Sequence, residues 1–229
     1  MILAVAGGKG GVGKTTVAMN LGVELDAIVV DGDLTSADLL HTTGPNLHDV
    51  LADHAEPSEA VTEFGPLHLL PCGRSLEGAR AADLTKLEPL VESLERRHGN
   101  VLIDSPAGLA QDVGTILEIA DATVLVTTPE ETALADATKT KELALELDSQ
   151  IAAVALNKVQ GDETATETLT ADIRGRFDVS TVPIPQTSAI AESQQDERLL
   201  AEYAPESQAA ERFAELGWIL QRNRDWITG

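Results

Sequence analysis

Short, nearly continuous apolar runs punctuate the chain. They fall at 2–6 (ILAVA), 27–30 (AIVV), 67–71 (LHLLP), 100–104 (NVLID), 122–128 (ATVLVTT), 151–157 (IAAVALN) and 179–184 (VSTVPI). Most do not alternate with polar residues, which predicts strands covered on both faces. Between them lie amphipathic stretches of helical length, such as LTKLEPLVESLERRH (84–98) and ETALADATKTKELALEL (131–147). Strand, helix and strand in repetition predict an α/β fold: a doubly wound, mostly parallel sheet with helices on both faces. The least regular segment is 41–66, with one short helix expected at NLHDVLAD (46–53). Its histidines, His41, His48 and His54, are spaced seven and six apart, so they do not stack on one helix face; they read as solvated loop residues and not as a metal site.

Length and composition narrow the class. The 229 residues suit one domain spanning 1–229, with residues 217–229 a tail of uncertain role. With 43% hydrophobic and only 3% aromatic residues, the core must be built from Val, Leu, Ile and Ala. Thirty-eight acids face 16 bases, a formal charge of −22 spread along the whole chain. Such a surface repels phosphate polymers, which makes DNA an unexpected partner. An acidic, lysine-poor surface also resembles that of proteins from salt-loving archaea, where a Debye length of about 3 Å at molar salt screens self-repulsion. Cys72 is the only cysteine and excludes an internal disulfide. The first apolar run leads straight into glycines with no leader pattern, and no run reaches membrane-spanning length. A cytoplasmic protein is expected, at most peripheral to a membrane or cell pole through partners.

The first run ends in GGKGGVGKTT, and Gly8–Thr15 match G-x-x-x-x-G-K-[ST] between a strand and a helical pattern. That context predicts a phosphate cradle built from Gly8, Lys9, Gly10, Gly11, Val12, Gly13, Lys14, Thr15 and Thr16. Glycines let backbone N–H groups converge on phosphate oxygens, and the following helix N-terminus adds positive potential. Lys14 should reach the β- and γ-phosphates, Thr15 should ligate Mg²⁺, and Thr16 should touch the α-phosphate. NVLID ends a later strand in Asp104, a carboxylate aimed at Mg²⁺ through water. In ALNKV, Asn157 offers an amide that can pair with an adenine edge, and Gln160 stands where guanine readers carry Asp. ATP and Mg²⁺ are the expected cofactors.

The second lysine, Lys9, sharpens the reading. KGGVGKTT resembles the deviant P-loop signature of the MinD/ParA family, and DSPAG (104–108) resembles its MinD branch. The resemblance covers about residues 2–216. It implies that Lys9 reaches across an ATP-bound homodimer to the partner's phosphates. It also implies that Asp33 orients the attacking water, Asp31 acts on Mg²⁺ through water, and Gly108 frees a γ-phosphate-sensing loop. Lys9, Lys14 and Asp33 are then the catalytic residues, and Thr15, Asp31 and Asp104 the metal set. Asp136 matches in spacing a family aspartate near the dimer interface. Pro183 and Ile184 match a loop whose backbone lies against adenine. Glu130 and Glu131 read as first-turn helix acids, and Asp38 as a solvated or helix-start acid.

The implied activity is ATP hydrolysis to ADP and phosphate by a dimerising switch. Its expected task is to position division, motility or surface machinery with an unidentified activator or cargo protein. The alternatives are a DNA partition ATPase, disfavoured by acid-rich late helices, and an ATP-gated binding module with negligible turnover. A metal-cluster carrier is disfavoured by the lone Cys72. The tail AERFAELGWILQRNRDWITG carries Trp218, Trp226, Arg222 and Arg224, and reads as a packed final helix in preference to a membrane anchor.

Overall fold

A computed structural model describes residues 1–34, 44–108 and 111–228. Eight strands form one sheet: β1 Ile2–Ala6, β2 Ile28–Asp31, β3 Thr62–Phe64, β4 Leu67–Leu70, β5 Val101–Asp104, β6 Ala122–Thr127, β7 Gln150–Val159 and β8 Thr181–Pro185. Their spatial order is β3-β4-β2-β5-β1-β6-β7-β8, parallel throughout except for the β3–β4 hairpin. The helices are α1 Lys14–Glu24, α2 Leu47–Leu51, α3 Pro57–Ala60, α4 Leu76–Ala81, α5 Leu87–His98 and α6 Gln111–Ile119. They continue with α7 Glu131–Glu146, α8 Glu163–Phe177, α9 Ser188–Gln195, α10 Leu200–Tyr203, α11 Gln208–Arg222 and α12 Arg224–Ile227.

The sheet is the doubly wound one that the apolar runs predict. Along β1, Ile2, Ala4 and Ala6 enter one core with α5, α6 and α7, while Leu3 and Val5 enter the other with α1 and α11. Both faces of a central strand are therefore dry, which is why its sequence does not alternate. The strand missed by sequence is β3. It is three residues long and only partly buried, and a turn through Gly65 joins it to β4. Nothing in so short and half-exposed a segment carries an apolar period. At the opposite edge, β8 contains Pro183 and Pro185, neither of which has an N–H to offer another strand.

The helix expected at 46–53 is present as α2, capped by Asn46, whose Oδ1 accepts from His48 N at 3.0 Å. The reading of His48 as solvated is overturned: its ring is only 2% exposed. His48 lies in the first turn of a helix seated on the end of β4, with Leu47 N donating to Pro71 O at 2.8 Å, and its side chain turns inward. His54 is exposed as expected, and His41 and Asp38 lie outside the described residues. At the C-terminus, Phe213, Leu216, Leu220 and Ile227 are buried while Trp218 and Trp226 are exposed. No helix among the described residues is long and apolar enough to cross a membrane.

Candidate nucleotide-binding site

The site sits at the C-terminal ends of β1, β2, β5 and β7, around the strand where the sheet order reverses, as crevices in doubly wound sheets do. The loop from β1 closes on Gly13, which caps α1 at φ +96°. A left-handed cap turns the first amides of α1 toward the loop, and α1 has no acid in its first turn to compete for them. Lys14 is the first residue of that helix and is 8% exposed. Burial pushes its ammonium below the ordinary lysine range, and the carboxylates of Asp104 and Asp33 pull it back. A polyanion would do the same.

Three carboxylates gather at this end of the sheet, two of them acting on Lys14. Asp31 and Asp104 end neighbouring parallel strands in direct register. Thr15 Oγ1 donates to Asp104 Oδ2 at 2.5 Å. Asp31 is 2% exposed, and its Oδ2 has no hydrogen-bond partner. Burial first, and then repulsion from Asp104, raises the Asp31 carboxyl to about 7. A hydroxyl and two clustered carboxylates, one holding an unsatisfied buried oxygen, form the hard-oxygen donor set that Mg²⁺ prefers. Asp33 follows the strand end, with its amide donating to Asp31 Oδ1 at 3.2 Å.

The loops are tied to one another through backbone. Gly32 N donates to Asp104 O at 2.9 Å, and Gly108 N donates to Gly8 O at 3.1 Å. From the other side, Asn157 donates from Nδ2 to Val12 O at 2.9 Å and accepts from Lys158 N at 2.9 Å. Here Asn157 is therefore a clamp on the phosphate loop, at 4% exposure, and its amide is engaged there. Thr16 Oγ1 accepts from Gln194 Nε2 on α9 at 2.8 Å. On β8, Ile184 is fully buried, and Pro183 lines a groove with Thr170, Arg174 and Arg212.

Lys9 lies apart from this cluster. Its Nζ reaches Glu130 Oε2 at 2.7 Å and Thr132 Oγ1 at 3.2 Å, on the exposed rim of the loop. Glu130 precedes α7 as its N-cap residue and uses its carboxylate on Lys9 instead of on the helix, so only Glu131 is a first-turn acid. The Lys9 hydrogen bond and charge hold the Glu130 carboxyl below its ordinary value. Asp136 pairs with Lys139 at 2.9 Å, and its backbone packs against Gly8.

A model of the CobQ/CobB/MinD/ParA nucleotide binding domain matches residues 3–200. The chain belongs to that family. Within the MinD/ParA group, the chain is similar to the cell division ATPase MinD of Pyrococcus furiosus: 31% identical, TM-score 0.86, with 96% of this chain and 98% of that one covered. It is also similar to the septum site-determining protein MinD from Pyrococcus horikoshii, solved with Mg-ADP. That pair is 30% identical with a TM-score of 0.87, covering 99% and 98% of the two chains. An uncharacterized ATP-binding protein of Methanocaldococcus jannaschii is 32% identical over 96% of this chain and 88% of its own length.

The MinD/ParA pattern in the sequence singles out the residues of the candidate cradle but not the contacts that support it from outside. Lys158 sits at φ +58° and donates from Nζ to Gly11 O at 2.7 Å. A lysine immediately after a strand-end asparagine was the available signal. Gln194 carried none, since it is one polar residue within AESQQDE and only the fold brings it to Thr16.

Proposed function

We propose that this MinD/ParA-family protein is an ATP-dependent dimerising switch that hydrolyses ATP to ADP and phosphate. One observation carries the reading: the two lysines of the loop are divided. Lys14 is buried at the cradle floor beside Asp104 and Asp33, whereas the Lys9 side chain is 40% exposed and points to the rim. A charge on the rim is available to a second copy docked face to face, where it acts on the partner's phosphates as an arginine finger does. Such a contribution is on the order of 10³–10⁵ in rate.

Thr15 and, through water, Asp104 and Asp31 would hold Mg²⁺, which when bound neutralises charge on the β- and γ-phosphates. Lys14 binds the same oxygens from the helix side. Asp33 orients the attacking water. Asn157 and Lys158 hold the loop to its shape, so orientation is set before substrate arrives. Gly108, bonded to Gly8, links the loop after β5 to the phosphate cradle and gives it a way to register the γ-phosphate. The cellular role is spatial positioning of division, motility or surface machinery, exerted on a protein partner that recognises the ATP-bound dimer.

Light scattering with Mg-ATP in about 1 M KCl, where surface repulsion is screened to roughly 3 Å, tests the reading. Asp33→Ala slows turnover and should show a doubled mass. Adding Lys9→Ala should return it to monomer. A mass indifferent to ATP refutes the switch. Doubling that survives Lys9→Ala removes the trans role of Lys9.

A further inference from the structure

The residues around Asp33 are fixed by successive contacts. Gly32 N bonds to Asp104 O, Asp33 N bonds to Asp31 Oδ1, and Leu34 N bonds to Gly32 O at 3.1 Å. All three contacts come from β2, from β5 or from the segment itself. The next one comes from elsewhere: His48 Nε2 lies 3.1 Å from the carbonyl oxygen of Leu34. The ring is buried, and its Nδ1 has no partner. Nε2 also lies 3.3 Å from Cys72 Sγ. Burial holds the imidazole below its ordinary value, so the ring is neutral and carries one N–H. The hydrogen is assigned to Nε2, the nitrogen that faces the carbonyl.

The surroundings fix the ring in that orientation. A Cβ at Gly73 would stand 2.5 Å from His48 Nδ1, and one at Gly78 would stand 2.9 Å from it. The imidazole therefore lies in a slot that two missing side chains leave open. At its base, Asn46 Oδ1 accepts from the His48 amide, and Leu47 N anchors the turn to Pro71 O. A side chain packed this tightly presents its N–H in one direction.

We infer that His48 is a positioning residue for hydrolysis: its Nε2–H holds the Leu34 carbonyl and thereby fixes Asp33 where it orients the attacking water. The inference rests on the hydrolytic role proposed above. It adds a residue from the short helix in the least regular segment of the chain. His48 touches neither nucleotide nor reacting atoms. Its loss should displace Asp33 without weakening ATP binding, and an ångström-scale displacement costs about 10²-fold in rate.

The test compares His48→Asn with His48→Gln in the full chain. The glutamine amide carries a donor to the Nε2 position, while the asparagine amide stops at the Nδ1 position. The readouts are kcat and KM for Mg-ATP, and hydrogen exchange at the amides of Gly32, Asp33 and Leu34. His48→Asn should lower kcat about 10²-fold with KM unchanged and speed exchange at Asp33 and Leu34. His48→Gln should recover most of both. A role limited to filling the slot would make the two variants fall alike, and that result overturns the inference. So does an unchanged kcat in His48→Asn. Cys72→Ala, which leaves only the carbonyl contact, should behave as wild type; if it reproduces His48→Asn, the thiol contact and not the carbonyl is the one that matters. A wild-type chain with no turnover defeats the hydrolytic reading instead, and exchange then decides alone: equal exchange in the two variants removes the role of His48.

Discussion

Replacing Gly13 by alanine should do two kinds of damage that can be measured separately. The residue caps α1 at φ +96°, where a Cβ meets its own carbonyl environment at a cost of about 1–2 kcal/mol. The new methyl would also fall on Asn157 Nδ2, far inside van der Waals contact. Asn157 is held by Val12 O and Lys158 N and cannot move without breaking those bonds, so the clash adds about 1–3 kcal/mol. Gly13→Ala alone should therefore destabilise by about 2–5 kcal/mol. Asn157→Ala removes the donor to a buried carbonyl and should cost about 1–3 kcal/mol. In that background the methyl meets open space, and Gly13→Ala should cost only the backbone share, about 1–2 kcal/mol. The assay is urea unfolding of the four nucleotide-free proteins at one salt concentration. A coupling of about 1–3 kcal/mol, with the double variant more stable than the sum, supports the clamp. Additivity within about 0.5 kcal/mol refutes it.

Glu130→Gln should release Lys9 from its rim contact and tighten the proposed ATP-dependent dimer, read as mass by light scattering; a weakened dimer would show that Glu130 supports the interface instead of competing for Lys9. The raised Asp31 carboxyl gives the magnesium-free protein a pH dependence. Its folded value of about 7 exceeds the unfolded value, so the folded state holds the extra proton between roughly pH 4 and 7. Stability should thus rise as pH falls from 8 to 5, by about 2.5–3 kcal/mol. Asp31→Asn should flatten that profile, and Mg²⁺ should raise the urea midpoint more at pH 8 than at pH 5; an unchanged slope in Asp31→Asn would assign the effect to other acids.

The core of the site was legible because its chemistry is local. Gly13, Lys14 and Thr15 are contiguous, and Asp104 ends an apolar run whose strand identity is plain from four residues. The sheet was legible for the same reason, since strands buried on both faces announce themselves as unbroken apolar runs. What escaped depends on distance in the chain. His48 reads as one polar residue in an irregular segment, and its burial follows from the slot at Gly73 and Gly78, 25 and 30 residues further along the chain. The Gln194 contact spans 178 residues to Thr16. The β3 hairpin escaped because three half-exposed residues cannot display a period.

The ties among the nucleotide loops have an evolutionary consequence. Gly32 N to Asp104 O, and Gly108 N to Gly8 O, are contacts of main chain with main chain. Proline at Gly32 or Gly108 apart, no exchange of one side chain for another deletes a donor or acceptor from them. Ala107, exposed between the two ties, can change while the loop stays wired to the cradle. Change is barred at Gly32, where a Cβ would stand 2.8 Å from Asp104 O, at Gly8, where one would stand 2.7 Å from Asp136 O, and at Gly108, where φ of +96° strains any side chain. Descendants of this scaffold are thus free to change the exposed part of the loop without rebuilding its hold on the cradle.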